Sequence, residues 1–293
     1  MKSERLPRRR ILGALAVTLL VGWGAASADA QVMDRILSEK KIKIGYIPSP
    51  PGTIKDSKSG EVSGFYIDSI RLVFKMVNVE PILIETTWAN FVAGLQSGQF
   101  DLSLAGTFAT VPRAAAVEFT KPISYLGYSA IVKKGDTRFQ SLADLNQAGI
   151  KIALVQGGAS VEYARENFPK AQHVTLSTGN LLAPFVEVSA GRADVGIEDA
   201  WQAHRYALEH PEVADLFDGR PYNVLPIAWS VKRGNQDLLN FMNTSIDWLM
   251  INDRFQKIAA SYGETGRYIA RIEYVPLGVP RGKAEGAEAG AKP

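Results

Sequence analysis

From residue 41 to residue 210 the chain alternates short β-rich runs with stretches of helical apolar spacing, and this alternation limits the fold more than any other feature. Lys41–Ile47, Pro81–Glu85 and Phe100–Ala105 read as strands. Between them lie Phe65–Val77, with Ile67, Ile70, Val73, Phe74 and Val77 on one helical face, and Trp88–Gln96, a helix expected to stop at Ser97-Gly98. After residue 128 the pattern resumes. Strands are expected at Ser129–Lys133, Lys151–Val155, His173–Leu176 and Ala193–Ile197, and helices near Ser160–Asn167, Asn180–Ala190 and Ala200–His210. Strands separated by helical crossovers imply an α/β fold with largely parallel sheets. Asn235–Leu249 and Asp253–Tyr262 read as a closing pair of helices. The tail from Gly282 to Pro293 is Gly, Ala, Lys and Glu with almost nothing apolar, a composition expected to stay disordered.

The first 30 residues carry a different signal. Arg8-Arg9-Arg10 precedes an apolar run from Ile11 to Gly24, and small-residue exits follow at Ala26-Ser27-Ala28 and Ala28-Asp29-Ala30. A basic end, a short apolar run and an A-x-A site make an export signal. The run is short for a bilayer span of about 20 residues, which weighs against a permanent anchor. The arginines fit a twin-arginine signal and an ordinary secretory one about equally. The 293-residue chain has no cysteine, which excludes both disulfides and a lipid anchor on cysteine. An exported chain without an anchor is expected to be free in a periplasm. The net charge of +3 arises in this leader, which holds five basic and two acidic side chains, so residues 31–293 balance at 28 of each sign. Such a balanced body gives no nucleic-acid footprint.

Enzyme-like chemistry is sparse. His173, His204 and His210 do not make a metal spacing, and no nucleophile elbow, P-loop or dinucleotide glycine pattern occurs. No catalytic residue, metal or cofactor is expected. Glu198 and Asp199 are adjacent and, on a strand, are expected to face opposite ways.

Several segments, in order, resemble the family 3 extracellular solute-binding proteins, the receptors of polar amino acid ABC transporters. Gly60-Glu61-Val62-Ser63-Gly64-Phe65-Tyr66-Ile67-Asp68 is similar to the family's G-x-x-x-G-F-D-x-D signature, with Tyr66 in place of the first acid. Trp88 through Gly106 resembles its W…L-x-x-G-x-x-D segment. Thr110-Val111-Pro112-Arg113 with Val117-Glu118-Phe119-Thr120 is similar to its T-x-x-R…V-x-F-(S/T) run, and Ser141–Leu145 with Lys151–Gly157 to its S-L-x-D-L…V-x-x-G run. Ala190-Gly191-Arg192-Ala193-Asp194 closes with Asp199. The likeness covers roughly residues 40–265.

The resemblance implies a two-lobed periplasmic binding protein fold of type II, with a cleft between lobes and two hinge strands. Residues 1–30 would be the signal peptide, 38–126 plus 227–265 the first lobe, 127–226 the second, and 266–293 an extension. Hinges would fall near Tyr125–Ser129 and Tyr222–Ile227. Open α/β sheets bind ligands outside the carboxyl ends of their strands. By resemblance Arg113 takes the α-carboxylate of an amino acid and Asp199 its α-ammonium. Arginine's planar fork suits a carboxylate, and a buried zwitterion needs both ends paired. The bland reading makes Arg113 a surface ion-pair residue and Asp199 a helix N-cap. Gly158, Ala159 and Ser160 open a helix whose backbone N–H groups favour an anion; a plain turn capped by Ser160 is the alternative. Ile47, Pro50, Trp88 and Phe108 stand where the family has walls and side-chain contacts, and Gly106 lies beside them. Phe108 takes the place of the family's Ser or Thr. This apolar lining predicts a ligand with a neutral side chain. The partners expected are that small molecule and an inner-membrane ABC permease, with no nucleic acid, for a monomeric receptor. The alternative is a periplasmic enzyme on the same fold, similar to the cyclohexadienyl dehydratases that convert arogenate or prephenate. A sensing module or a cell-wall enzyme fragment is the third class.

Overall fold

The computed structural model describes residues 32–218 and 220–263; the expected leader at 1–30 and the extension at 266–293 lie outside them. The chain opens with α1 (Val32–Glu39), β1 (Lys41–Tyr46), and the short β2 (Ile54–Lys55) and β3 (Val62–Ser63). It continues through α2 (Phe65–Met76), β4 (Glu80–Glu85), α3 (Phe91–Ser97), β5 (Leu102–Phe108), α4 (Val111–Ala114) and β6 (Val117–Phe119). The long β7 (Ser124–Lys133) leads to a 3-10 turn at Leu142–Leu145, then β8 (Lys151–Val155), α5 (Ala159–Asn167), β9 (Gln172–Leu176), α6 (Ala183–Ser189), β10 (Val195–Asp199), α7 (Ala200–Glu209) and β11 (Val213–Asp215). The equally long β12 (Tyr222–Lys232) returns the chain to α8 (Gln236–Ile251) and α9 (Arg254–Ser261).

The strands run in the order β4-β1-β5-β12-β7-β10-β8-β9, with β6 on β12 and β11 on β7. Pairing is parallel at both ends, where β1 joins β4 and β5, and β8 joins β9 and β10. It is antiparallel in the middle, where β12 joins β5, β6 and β7, and β7 joins β10 and β11. The expectation of largely parallel sheets therefore fails at the centre. Side-chain periodicity reports which face of a strand is buried, not its direction, and β7 and β12 cross the molecule in opposite senses.

The inner strands β5, β8 and β10 bury both faces, and the outer ones less. In β8, Ile152 and Leu154 join the main core with Ala164 and Phe168, while Ala153 packs with Phe185 and Val188 on the other side. In β1, exposed Lys41 and Lys43 alternate with fully buried Ile42 and Ile44. On α2 the buried face is Ile67, Ile70, Val73 and Phe74, as the spacing predicts. Truncating a buried Ile or Leu to Ala in such a core costs about 2–5 kcal/mol.

Some boundaries differ from the sequence reading. The Trp88–Gln96 helix begins at Phe91, because the amides of Asn90 and Phe91 both turn back onto the Thr87 carbonyl. The Asn180–Ala190 helix begins at Ala183, after the Asn180 side chain takes the Leu182 amide at 2.9 Å. The strand expected at Phe100–Ala105 runs from Leu102 to Phe108, and that at Ala193–Ile197 runs from Val195 to Asp199. Among the described residues no helix is long and apolar enough to cross a membrane, and no group of three metal-binding side chains occurs.

Candidate functional site

A cleft opens where the two parallel triplets face each other across β7 and β12. Its floor and walls come from the loop after β1 (Ser49, Pro50), the start of α2 (Tyr66), Trp88, the end of β5 (Gly106, Thr107, Phe108), and Arg113 on α4. The opposite side supplies Gly158 and Ala159 at the start of α5, Leu181, Glu198 and Asp199 at the end of β10, and Trp201 and Gln202 on α7. Of the eight sequence-predicted site residues, seven meet here. Gly106 lies against the Tyr66 ring, where a β-carbon would stand 2.6 Å from Cε2.

Arg113 is placed by a short helix that Thr110 begins, its Oγ1 accepting the Arg113 amide at 3.4 Å. The guanidinium is buried. Its Nη1 donates to Thr107 Oγ1 at 2.6 Å and to the Phe108 carbonyl at 3.0 Å, and its Nη2 crosses the cleft to the Gly157 carbonyl at 2.8 Å. The Phe91 ring lies 5.4 Å beneath it. These bonds leave Nε and an Nη2 hydrogen of the five guanidinium donors for a ligand. Burial pulls the Arg113 pKa down, while Glu162, Tyr128 and Glu198 oppose the shift; an arginine so placed stays charged. The surface ion-pair alternative for Arg113 is thus removed. Thr107 was missed in the sequence, where Phe108 was aligned with the family's hydroxyl; the hydroxyl is one residue earlier and holds the arginine.

Across the cleft, β10 ends at Asp199, whose backbone (φ −58°, ψ 143°) turns into α7. Its carboxylate accepts the Gln202 amide at 2.9 Å and a further backbone bond from Trp201. Asp199 is therefore a helix N-cap, as the bland reading has it, and it also lines the cleft. Burial raises its carboxyl to about 6, against the pull of these backbone bonds. Glu198 lines the cleft as well, and the two neighbouring carboxylates bond to different helices, Glu198 to Ser160 on α5 and Asp199 to the Gln202 amide on α7. Burial, then repulsion from Asp199, pushes the Glu198 carboxyl up to about 8, while a bond from Ser160 and backbone amides oppose.

Ser160 is the predicted residue that does not line the cleft. It is fully buried, and its Oγ donates to Glu198 Oε1 at 3.0 Å. Gly158, without a side-chain cap, leads into α5; the Val161 amide turns back onto the Gly158 carbonyl at 3.2 Å, and the amides of Ala159 and Ser160 have no intrahelical acceptor. Ile47 is a correction of another kind. It is fully buried in a cluster with Trp88, Phe91 and Leu95 rather than on the wall. Pro50, Trp88 and Phe108 do reach the wall, but Ser49, Thr107 and Gln202 make the lining more polar than the sequence suggests.

The two sides touch around the rim. Trp88 Nε1 donates to the Gly179 carbonyl at 3.2 Å and Gln202 Nε2 to the Pro50 carbonyl at 3.2 Å. At Gly157 (φ +78°) a β-carbon would stand 2.5 Å from the Ala89 nitrogen, so here backbone meets backbone. The cleft can thus enclose a small molecule between one fixed cation and two buried acids.

The model for the bacterial extracellular solute-binding proteins, family 3, matches residues 42–265. A cyclohexadienyl dehydratase of Pseudomonas aeruginosa is 23% identical over 226 residues, covering 77% of this chain and 84% of that protein. A probable amino-acid ABC transporter periplasmic-binding protein of Sinorhizobium fredii is 27% identical and covers 91% of each chain. The L-cystine-binding protein TcyJ of Escherichia coli is 23% identical, covering 89% of this chain and 97% of its own. Among solved structures, the ancestral amino acid-binding protein AncCDT-1, a precursor of cyclohexadienyl dehydratase, superposes with a TM-score of 0.70 at 28% identity, covering 79% of this chain and 99% of that one. An ancestral arginine-binding protein bound to glutamine gives 0.67 at 26%, covering 77% and 99%.

Proposed function

Because the chain belongs to the bacterial extracellular solute-binding proteins of family 3, we propose that it is the periplasmic receptor of an ABC transporter, capturing an amino acid or a close analogue and presenting it to an inner-membrane permease. The observation that carries this reading is the pairing of opposite charges across one closed cleft. Arg113 is held on one side by Thr107 and the Phe108 carbonyl, and Asp199 stands on the other at the end of β10. A zwitterion leaving water loses the hydration of both its charges, and each must find a fixed partner. Arg113, helped by the amides that start α5, meets the carboxylate, and Asp199 meets the ammonium. Gly106, Phe108 and Trp88 shape the space between them, with Gly158 and Ala159 framing the far side and Ser160 behind them, bonded to Glu198.

In this reading residues 38–126 and 227–265 form one lobe and 127–226 the other, and the monomeric receptor closes on ligand by bending β7 and β12. Pro50, Trp88, Phe108 and Leu181 give the side chain apolar company, so a neutral side chain is favoured over a cationic one. Residues 1–30 are the export signal, cut near Ala28 or Ala30. Calorimetry with the twenty common L-amino acids tests the proposal: at least one should bind with sub-millimolar affinity, and leucine-like side chains should outcompete arginine. Binding by none of them refutes it.

The second reading, a dehydratase acting on a prephenate-like acid, draws on one observation, the buried carboxyl of Glu198, which is protonated at neutral pH and so able to serve as an acid. Incubation with prephenate, followed by product absorbance, separates the two: turnover establishes the enzyme, and its absence leaves the receptor.

A further inference from the structure

The receptor reading gives tasks to Arg113 and Asp199 and none to Glu198, although Glu198 lies in the same cleft and is 4% exposed. Its carboxyl is packed over the first turn of α5. Oε1 accepts the Ser160 hydroxyl at 3.0 Å and lies 3.4 Å from where a β-carbon on Gly158 would stand. That turn, with Arg113, is the end of the cleft assigned to the ligand's carboxylate. Backbone bonds at Asp199 and Val155 also hold the Glu198 carboxyl in place.

The surroundings decide its charge. Asp199 follows it on β10, Arg113 faces it from α4, Tyr128 from β7 and Tyr222 from β12. Glu162 and Tyr163 on α5 and Asp215 on β11 act on the same arginine and tyrosines. The Tyr128 and Tyr222 hydroxyls are buried without a hydrogen-bond partner among the described residues, and burial keeps both phenols protonated, so neither is a base that could take the proton. Arg113 is the single cation in this set. If Glu198 ionised, an arriving ligand carboxylate would bring a second negative charge beside it on the same guanidinium, since Asp199 is taken up with the ligand's ammonium.

We propose that Glu198 is a proton-carrying ligand group, which in its neutral form donates a hydrogen bond to the carboxylate of the bound amino acid beside Arg113, so that capture of ligand is linked to one proton. The inference rests on the receptor reading above. The carboxyl is already raised to about 8 by burial and by Asp199, and a ligand carboxylate raises it further, since it accepts from the neutral form and repels the ionised one. Linkage then sets the sign. Below pH 8 Glu198 is protonated both before and after binding, and affinity does not depend on it. Above pH 8 binding must take up a proton, and affinity falls by up to about tenfold per pH unit.

The test is calorimetry with the tightest binder among the twenty L-amino acids, on the wild-type chain and on Glu198→Gln, which keeps a neutral donor that cannot titrate. At pH 8.5, where the free ligand's ammonium is still largely protonated, binding to the wild type in buffers of different ionisation heat should show uptake of most of one proton. At pH 7 it should show almost none. Glu198→Gln should bind within a few-fold of wild type at pH 7, take up no such proton, and lose less affinity between pH 7.5 and pH 9.5. Glu198→Ala, lacking the donor, should bind about tenfold more weakly at pH 7. No proton uptake by the wild type at pH 8.5 while an amino acid binds overturns this inference and leaves the receptor standing, and that measurement needs no variant to fold. Coincident pH profiles for wild type and Glu198→Gln overturn it equally. If no amino acid binds at any pH, the receptor reading falls and this inference falls with it.

Discussion

Replacing Asp199 by asparagine separates two jobs that one carboxylate performs in this cleft. Its Oδ1 caps α7 by accepting the Gln202 amide at 2.9 Å, and its charge is assigned to the ligand's ammonium. Asparagine caps about as well as aspartate, whereas alanine loses the cap at about 0.5–2 kcal/mol, so Asp199→Asn removes the charge and spares the helix. Stranding a buried ligand charge typically costs about 2–5 kcal/mol, which at about 1.4 kcal/mol per decade weakens binding roughly thirty-fold to several thousand-fold. Stability should move the other way. The carboxyl ordinarily titrates at 3.8 and is held at about 6 in the fold, so between those values the unfolded chain gives up its proton first. Folding is therefore progressively disfavoured by this group as pH rises from about 4 to 6, by up to roughly 3 kcal/mol at 1.36 kcal/mol per pH unit. The asparagine escapes that penalty, and the empty Asp199→Asn protein should melt higher than wild type at pH 7. Isothermal titration calorimetry and thermal melts without ligand measure the two effects. Weaker binding together with higher stability is a combination that general damage to the fold cannot produce. Wild-type affinity in Asp199→Asn would refute the clamp and leave Asp199 a helix cap.

Gly157→Ala, whose β-carbon would meet the Ala89 nitrogen at 2.5 Å, should block closure, lower affinity at least about tenfold and keep the ligand-saturated protein at a larger radius of gyration by X-ray scattering; a wild-type profile would count against closure at this contact. Thr107→Val removes the hydroxyl that anchors Arg113 and should weaken binding by about tenfold, the worth of one charge-assisted hydrogen bond, with little change in melting temperature; unaltered affinity would show that Arg113 does not need this anchor. Glu198→Gln should raise the melting temperature more at pH 8.5 than at pH 5, because the folded carboxyl resists ionisation until about 8 while the unfolded one gives way near 4.5; an equal shift at both pH values would contradict the raised value. Mass spectrometry of exported protein should find residues 1–28 or 1–30 removed, and Lys at Arg8 and Arg9 should stop export only by the twin-arginine route.

Strands and helices were legible from local periodicity because most of them bury one clear face, as Ile67, Ile70, Val73 and Phe74 do in α2. What periodicity does not carry is the direction of a strand. That is why the antiparallel centre made by β7 and β12 was missed, while the parallel triplets at either end were expected. Arg113 and Asp199 could be picked out because their residue types match a charge at a motif position. Glu198 could not, since no motif position marks the penultimate residue of β10 as one that lines the cleft. Ile47 and Thr107 failed by a small margin: a shift of one or two positions in a loop or at a strand end exchanges a wall residue for a core residue. Ser160 shows a different limit, because nothing local announces that its hydroxyl serves the side chain of Glu198, 38 positions away.

The two strands that pass between the halves are bonded to each other, with Tyr222 opposite Tyr128, Leu225 opposite Leu126 and Pro226 opposite Tyr125. A ladder of this kind resists independent twisting of its members, so the pair acts as one ribbon with a single easy axis of flexure. The ladder slips register between Tyr222 and Leu225, where Asn223 adopts φ 48° and Val224 is exposed, and curvature will concentrate there. Since the chain contains no cysteine, a Val224→Cys variant offers a single thiol for an environment-sensitive dye at the register slip, where a bend proposed for this ribbon would be read. The same ribbon that joins the halves can thereby be made into an optical sensor for whatever the cleft takes up.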